Sequence, residues 1–296
     1  MGPDQDVGRF VRTEFEIVVY WIHARDRVRA AKEAGLPEPW TEDPLLRDYR
    51  WCNVRRLDDR VSRRLFENWH DDTQNPPTQL VSAVLGRLIN WPDSLDELAR
   101  PFAGALHPNT RATLERRALE GKKVLTGAYV VPGVPGRDKV DSVCSLVEKV
   151  AASAGGVMNA VSMRATWQAL TAFDGLGSFL ARQIVADLAH LHAGAMWEDQ
   201  ADWAPVGPGS ARGMNRLLGR PKDKAVAQAE FEKLLPQLAE VVRPLVADIW
   251  SDRRLQAMDL QNCLCEFDKY RRLTLGEGKV RARYAGAAPA DQGSLI

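Results

Sequence analysis

Apolar side chains along this chain recur mainly at intervals of three and four residues, the spacing that lines one face of an α-helix. In "GRFVRTEFEIVVYWIHARDRVRAAKEAG", residues 8–35, Phe10, Phe15, Val18, Val19, Ile22 and Val28 follow that rhythm until Gly35 and the breakers Pro37 and Pro39. A cap over Thr41 to Asp43 and a proline then open "WTEDPLLRDYRWCNVRRLDDRVSRRLFENWHDD", with Leu57, Val61 and Leu65 set among arginines. "TQLVSAVLGRLINW" and "LDELARPFAGAL" predict further helices, bounded by Pro76, Pro77 and Pro92. The pattern changes at "GKKVLTGAYVVPGVPG", residues 121–136, where β-branched and aromatic residues followed by Pro-Gly pairs predict a short hairpin or extended loop.

Helical period returns in "DKVDSVCSLVEKVAASAGGV", "VSMRATWQALTAF", "QAEFEKLLPQLAEVVRPLVADIW" and "LQAMDLQNCLCEFDKYRRL". The small, polar residues 276–296 predict a flexible tail. The expected fold is mainly α, with at most one short β-hairpin. Residues 8–275 form either one helical unit or two lobes, and no internal repeat is visible.

"LTAFDGLGSFLARQIVADL", Leu170 to Leu188, breaks an apolar helix at Gly175-Leu176-Gly177 and restarts it at once. Leu176 can enter the core while the amides of Gly175, Gly177 and Ser178 face outward, and amides at a helix start hold a phosphate oxygen directly or through a monovalent cation. The same residues also suit an ordinary helix–helix turn with a glycine cap.

Composition narrows the function classes. The 40 Lys+Arg nearly cancel the 39 Asp+Glu, so any surface that attracts nucleic acid must be local. No apolar run is long enough for a bilayer and the start lacks a secretory pattern, so a cytoplasmic location is expected. Cys52, Cys144, Cys263 and Cys265 lack CxxC spacing, and the histidines form no HExxH, so neither a metal centre nor a tightly bound cofactor is expected.

Beyond the second helix of the hairpin come Asp202 beside Trp203, then a glycine-rich turn with Arg212, Arg216 and Arg220. This order resembles the helix-hairpin-helix DNA glycosylases, a helical fold in which an aspartate at a comparable distance faces a flipped nucleotide. The resemblance implies Asp202 as that carboxylate, with Asp199 second. Phe179 stands about where lyase-competent members carry a lysine, so a lysine-dependent lyase step is not expected.

A narrower resemblance rests on "PWTEDPLLRDYRWCNVRRLDDRVSR", "GAYVV", "FDGLGSFLARQIVADL", "DWAPVGPGSARGMNRL" and "DLQNCLCEFDKYRR", which span Pro39 to Arg272. Together they resemble the helical domain associated with 5-hydroxymethyluracil (5-hmdU) DNA kinases, also described as a clade of alpha-glutamyl/putrescinyl thymine pyrophosphorylases. The resemblance implies hypermodification of thymine in phage DNA: group transfer at the 5-methylene of a flipped base, with loss of phosphate or pyrophosphate and attack by an amine. Base excision, or DNA binding on behalf of a separate kinase, are the alternatives. The sequence has no GxxxxGK[ST] P-loop, so it is not expected to act as an ATP kinase by itself.

Other candidates follow from residue chemistry. "GPGSARGMN" offers the amides of Gly207 and Gly209, the Ser210 hydroxyl and Arg212 at a helix start, with Arg216 one turn on, a layout suited to phosphate. In "RWCNVRRLDDRVSRR", Asn53, Arg55, Arg56, Asp59 and Arg60 could form a ladder in which aspartates aim arginines at a ligand, Arg56 and Arg60 sharing a helix face. "QNCLCEFDKYRR" contributes Gln261, Asn262 and Lys269 to a pocket rim, with Glu266 and Asp268 as second-line acids or bases. Trp203, next to Asp202, is the tryptophan expected to stack on an extruded base.

Overall fold

The computed structural model describes residues 9–127, 138–277 and 283. It is mainly α, with 62% helix and no strand among those residues. In chain order the helices are α1 (Arg12–Glu33), α2 (Pro44–Asp48), α3 (Arg60–Asn68), α4 (Pro76–Ile89), α5 (Pro92–Asp96), α6 (Thr110–Leu119), α7 (Lys139–Ala152), α8 (Ala154–Met158), α9 (Met163–Thr171), α10 (Ser178–Leu188), α11 (Pro208–Leu217), α12 (Gln228–Val242) and α13 (Ala257–Thr274). Most of the expected hairpin at 121–136 lies outside the described residues, as does nearly all of the tail; residues 121–127 contain no strand.

The helices sort into two compact units. One takes in the chain up to Arg56 and again from Ala201; the other is the continuous stretch Leu57–Gln200.

In the discontinuous unit, α13 packs against α1, α11 and α12. The first helix contributes Phe15, Val18, Trp21 and Ile22, all buried at its three-and-four spacing. Between α11 and α13 the backbones approach very closely. A Cβ on Gly213 would lie 2.5 Å from the Leu264 carbonyl oxygen, and one on Gly209 3.1 Å from the Cys265 Cβ. Glycine one helical turn apart therefore sets this crossing. The Asp43 carboxylate caps α2, accepting from the Leu45 and Leu46 amides, and also accepts the hydroxyls of Tyr20 and Tyr270.

The continuous unit is built around α4, buried from Thr78 to Ile89 and packed by α7, α8 and α10. A helix surrounded in this way is mostly apolar, and Arg87 is its buried charge, which requires compensation. Its guanidinium meets Asp187 of α10 through two bonds of 2.5 and 2.6 Å, and donates to Ser62 at 2.9 Å and Asn90 at 3.3 Å. Gly86 lies against the Trp69 indole, whose N–H donates to the Ser82 carbonyl.

The predicted helix over "LDELARPFAGAL" is a correction. Only its first residues are helical, in α5, after which Pro101, Ala103 at φ 51° and Gly104 at φ 74° form a turn. Helix α6 was not anticipated, because its "TRATLERRAL" carries few apolar positions.

Candidate functional site

Within the continuous unit, α9 and α10 are joined by the glycine turn. Gly175 adopts φ 100°, a conformation that strains any side chain, and Leu176 between the glycines is buried. Gly177 is the N-cap of α10 with no side-chain acceptor over the helix start, and a Cβ there would meet open space. Gly177 and Ser178 are exposed. The tip thus has its apolar residue turned inward, as the sequence leads one to expect, and its following two residues exposed.

Asp199, the second catalytic candidate, is engaged elsewhere in this unit. Its two carboxylate oxygens accept the amides of Met163 at 2.8 Å and Arg164 at 2.9 Å, so it caps α9. The arginine ladder is also redrawn. Helix α3 begins at Arg60 with Asp59 as its N-cap, so Arg56 and Arg60 do not share a helix. Arg60 instead lines, with Asp58, Arg63, Arg64 and Glu67, a shallow cavity of about 330 Å³.

The other candidates lie in the discontinuous unit. Asp268 is 1% exposed, and its two oxygens receive different arginines: Arg212 Nε at 2.7 Å and Arg216 Nε at 3.0 Å. Arg216 also donates to Glu277 at 2.6 Å, and Lys222 reaches the same carboxylate at 2.9 Å. Hydrogen bonds from Arg216 and then Lys222 hold the Glu277 carboxyl down to about 2. Asp268 is therefore an anchor for two guanidinium groups, a different task from the acid or base expected of it.

Arg216 is enclosed by these pairings, whereas the Arg212 side chain remains 28% exposed. Its contact with Asp268 uses Nε, and among the described residues no hydrogen bond engages Nη1 or Nη2. Three cations, Arg212, Arg216 and Lys222, stand against the two carboxylates of Asp268 and Glu277, and Arg212 and Lys222 are the partly exposed members.

The rest of "GPGSARGMN" serves packing and capping. The Gly207 amide donates to Ser210 Oγ at 2.9 Å, and buried Ser210 also accepts from Gln261 Nε2 at 3.1 Å. With Gly209 held against Cys265, the phosphate loop expected here reduces to Arg212.

Segment 50–54 is held against α1 and α13. Arg25 donates to the carbonyls of Trp51 and Cys52 and to the Asn53 side chain. Glu266 accepts the Cys52 amide at 3.2 Å, Asn262 donates to the Asn53 carbonyl at 3.4 Å, and Lys269 reaches the Arg50 carbonyl while lying over the Trp51 ring. These polar side chains organise the backbone of the segment. Arg55 pairs with Asp252 at 2.5 Å.

Asp202 is exposed, at 57% of its side chain, and lies 3.4 Å from Arg243. Its neighbour Trp203 points the other way, 5% exposed with its indole N–H donating to Glu232 at 2.7 Å. Trp203 is thus a core residue with a satisfied polar tip, which corrects its expected stacking role.

Residues that sequence reasoning missed are Arg25, Arg87, Asp187 and Glu277. A signal existed for two of them: Arg87 in "LVSAVLGRLI" and Asp187 in "IVADL" are single charges inside apolar helical runs.

Among the described residues, no group of His, Cys, Asp and Glu could hold a metal, and no helix is long and apolar enough to cross a membrane. Residues 12–280 match the family described as "5-hmdU DNA kinase, helical domain". A 5-hmdU DNA kinase of Bacillus phage SP10 is 25% identical over 209 residues, covering 62% of this chain and 33% of that protein. The chain therefore spans about a third of the relative's length. No solved structure matches it. The family match begins at the first residue of α1 and continues past α13, so the resemblance read from five motifs extends over both units, and the chain belongs to the 5-hmdU DNA kinase helical-domain family.

Proposed function

We propose that this protein takes part in hypermodification of thymine in DNA, acting on a 5-hydroxymethyluracil-derived base that carries a phosphate or pyrophosphate on its 5-methylene. The observation that carries the reading is Arg212, fixed through Nε by buried Asp268 and presenting its remaining edge. A guanidinium so fixed binds a phosphoryl group with little loss of side-chain freedom. The name of the phage relative supports the DNA base as substrate class.

In the proposed step the C–O bond at the 5-methylene breaks, and its electron pair leaves with the phosphate or pyrophosphate, whose charge Arg212 balances. An amine then donates its lone pair to the electron-poor methylene carbon, and its proton passes to a carboxylate. Asp202 is assigned that task, since an exposed and weakly paired carboxylate can accept a proton and release it to water. The tip from Gly175 to Ser178 is assigned the sugar-phosphate backbone, with or without a monovalent cation. Extruding the base costs a few kcal/mol, which backbone contacts at the tip would offset.

The test incubates DNA containing 5-hydroxymethyluracil, or its pyrophosphorylated form, with the protein and candidate amines, and analyses the nucleosides by mass spectrometry. A new nucleoside is expected, and it disappears in Arg212→Ala and Asp202→Asn. Release of a free base with an abasic site would replace transfer by excision. Binding without turnover would make the chain a delivery module for a separate kinase. Full turnover by Asp202→Asn would remove that residue from the step.

A further inference from the structure

In the continuous unit, the start of α6 borders a cavity of about 460 Å³ that shares no residue with the candidates above. His107, Thr110 and Arg111 line one side, and Glu148, Ala151 and Ala152, from the end of α7, line the other. Helix α6 is ten residues long, and its N-cap, Asn109, places no side-chain oxygen over the first turn. Among the described residues, nothing accepts a hydrogen bond from the amides of Arg111 and Ala112. Thr110 is a second and independent sign. It is only 2% exposed and belongs to the cavity wall, yet its Oγ1 has no hydrogen-bond partner. Buried hydroxyls are ordinarily paired, so this one marks a place for a group from outside the chain.

The chemistry of that group follows from what is left over. His107 Nδ1 accepts the Asn109 amide at 3.2 Å, so in the neutral ring the proton sits on Nε2. Arg111 uses Nη1 for Asp141 and Nη2 for Glu148, and its Nε has no acceptor among the described residues. Two amides, a hydroxyl, an imidazole N–H and Nε can all donate, which calls for a ligand rich in acceptors. We infer that the start of α6 is an oxyanion site for a phosphoryl group, supplied by the DNA backbone or by free phosphate or pyrophosphate. This goes beyond the reading above, in which Arg212 of the other unit takes the phosphoryl group, and does not depend on it.

The positive end of the helix and its open amides favour such a group. Glu148 is the opposing charge. Its contact with Arg111 is weak, at 3.4 Å with 56% of the Glu148 side chain exposed, so a phosphoryl oxygen can displace it with little loss. Asp141 stays on Nη1 and orients the guanidinium. The cavity has the volume of a small-ligand pocket, which leaves room for whatever carries the phosphoryl group.

The test titrates isotope-labelled protein with phosphate, pyrophosphate or a short DNA duplex at constant ionic strength, with chloride as control, and follows the Arg111 and Ala112 amides by NMR. Arg212→Ala is the background, so that binding at the arginine of the other unit is not counted. Both amides should shift and saturate with at least one phosphoryl probe and stay fixed in chloride. Response to the duplex alone assigns the site to the DNA backbone, and response to the small anions assigns it to free phosphate or pyrophosphate. Thr110→Val, which removes only an unpaired hydroxyl, should remain folded and bind roughly 10- to 100-fold more weakly, the loss of one hydrogen bond to a charged group. Glu148→Gln should bind more tightly.

Silence of both amides with every probe would overturn the site and leave water as the partner of Thr110. Equal affinity with and without Thr110→Val would do the same, and weaker binding by Glu148→Gln would exclude an anion. Failure of the thymine-modification reading would appear separately, as absent turnover.

Discussion

The buried pair between Arg87 and Asp187 gives the most direct energetic test of the continuous unit. Arg87→Met would leave the Asp187 carboxylate, 0% exposed, without the two short hydrogen bonds that compensate its burial. Removing one partner of such a pair costs about 3–5 kcal/mol. Since domains are stable by only about 5–15 kcal/mol, this is a large share of the total. Arg87→Met with Asp187→Leu removes both charges. Replacing a buried pair by apolar residues is neutral or stabilising by about 1–4 kcal/mol. Against this, Ser62 and Asn90 each lose the donor Arg87 supplied, at about 1 kcal/mol apiece. The double variant should therefore lie close to wild type while the single one is far below it.

Urea unfolding gives the three free energies, and hydrogen exchange of the α4 and α10 amides assigns the change to this unit. The reasoning fails if Arg87→Met lies within about 1 kcal/mol of wild type, because His70 Nε2, 3.5 Å from the same carboxylate, is too distant to replace two short charge-assisted hydrogen bonds. It fails equally if the double variant is as unstable as the single, which would place the cost in packing and not in charge.

Glu277 ties the pH response to the arginine anchor. Its folded carboxyl is depressed to about 2, against about 4.3 in an unfolded chain, so its contribution is complete above the unfolded value and is lost as pH falls toward the folded one. Wild type should exceed Glu277→Gln in stability at neutral pH, and acid titration should show that advantage vanish between about pH 4.3 and 2. Gly213→Ala places a Cβ where 2.5 Å separates it from the Leu264 carbonyl oxygen, and thermal unfolding should show a loss of about 1–3 kcal/mol. Gly156→Ala, in α8 with nothing within 4 Å, should be neutral or gain about 0.5–1 kcal/mol. Asp199→Ala should lower stability by about 0.5–2 kcal/mol through the lost cap of α9 and leave turnover at the temperature of full folding unchanged. Loss of turnover with unaltered stability would return Asp199 to the catalytic candidates.

The helices were legible wherever an apolar face repeats over several turns, as in α1, α4, α7 and α13, because burial of that face is what makes the segment helical. Legibility ended where a few local torsions decide. Pro101 and the left-handed Ala103 stop a helix that composition would have continued. The glycine turn before α10 was readable because positive φ and a single inward leucine leave a compact signature. Roles assigned by adjacency fared differently. Trp203 follows Asp202, yet one side chain lies in the core and the other in solvent.

The duties of acidic residues were equally obscure. Asp199 and Asp268 look alike in sequence, but one meets amides 36 and 35 residues away and the other arginines 56 and 52 residues away. Such pairings are set by how helices cross, and a single sequence records that only at close approaches such as Gly209 and Gly213.

The interrupted chain path of the discontinuous unit has a consequence for biosynthesis. Its first helix leaves the ribosome with Phe15, Val18, Trp21 and Ile22 ready to be covered, but the partners α11 and α13 are translated only after the whole inserted stretch. The inserted stretch builds its own core around α4 and can mature while it emerges, whereas α1 must wait as a sticky nascent segment. Chaperone demand during translation should therefore centre on α1 and the segment up to Arg56, and arrest before α13 should leave the inserted stretch folded with α1 still unassembled.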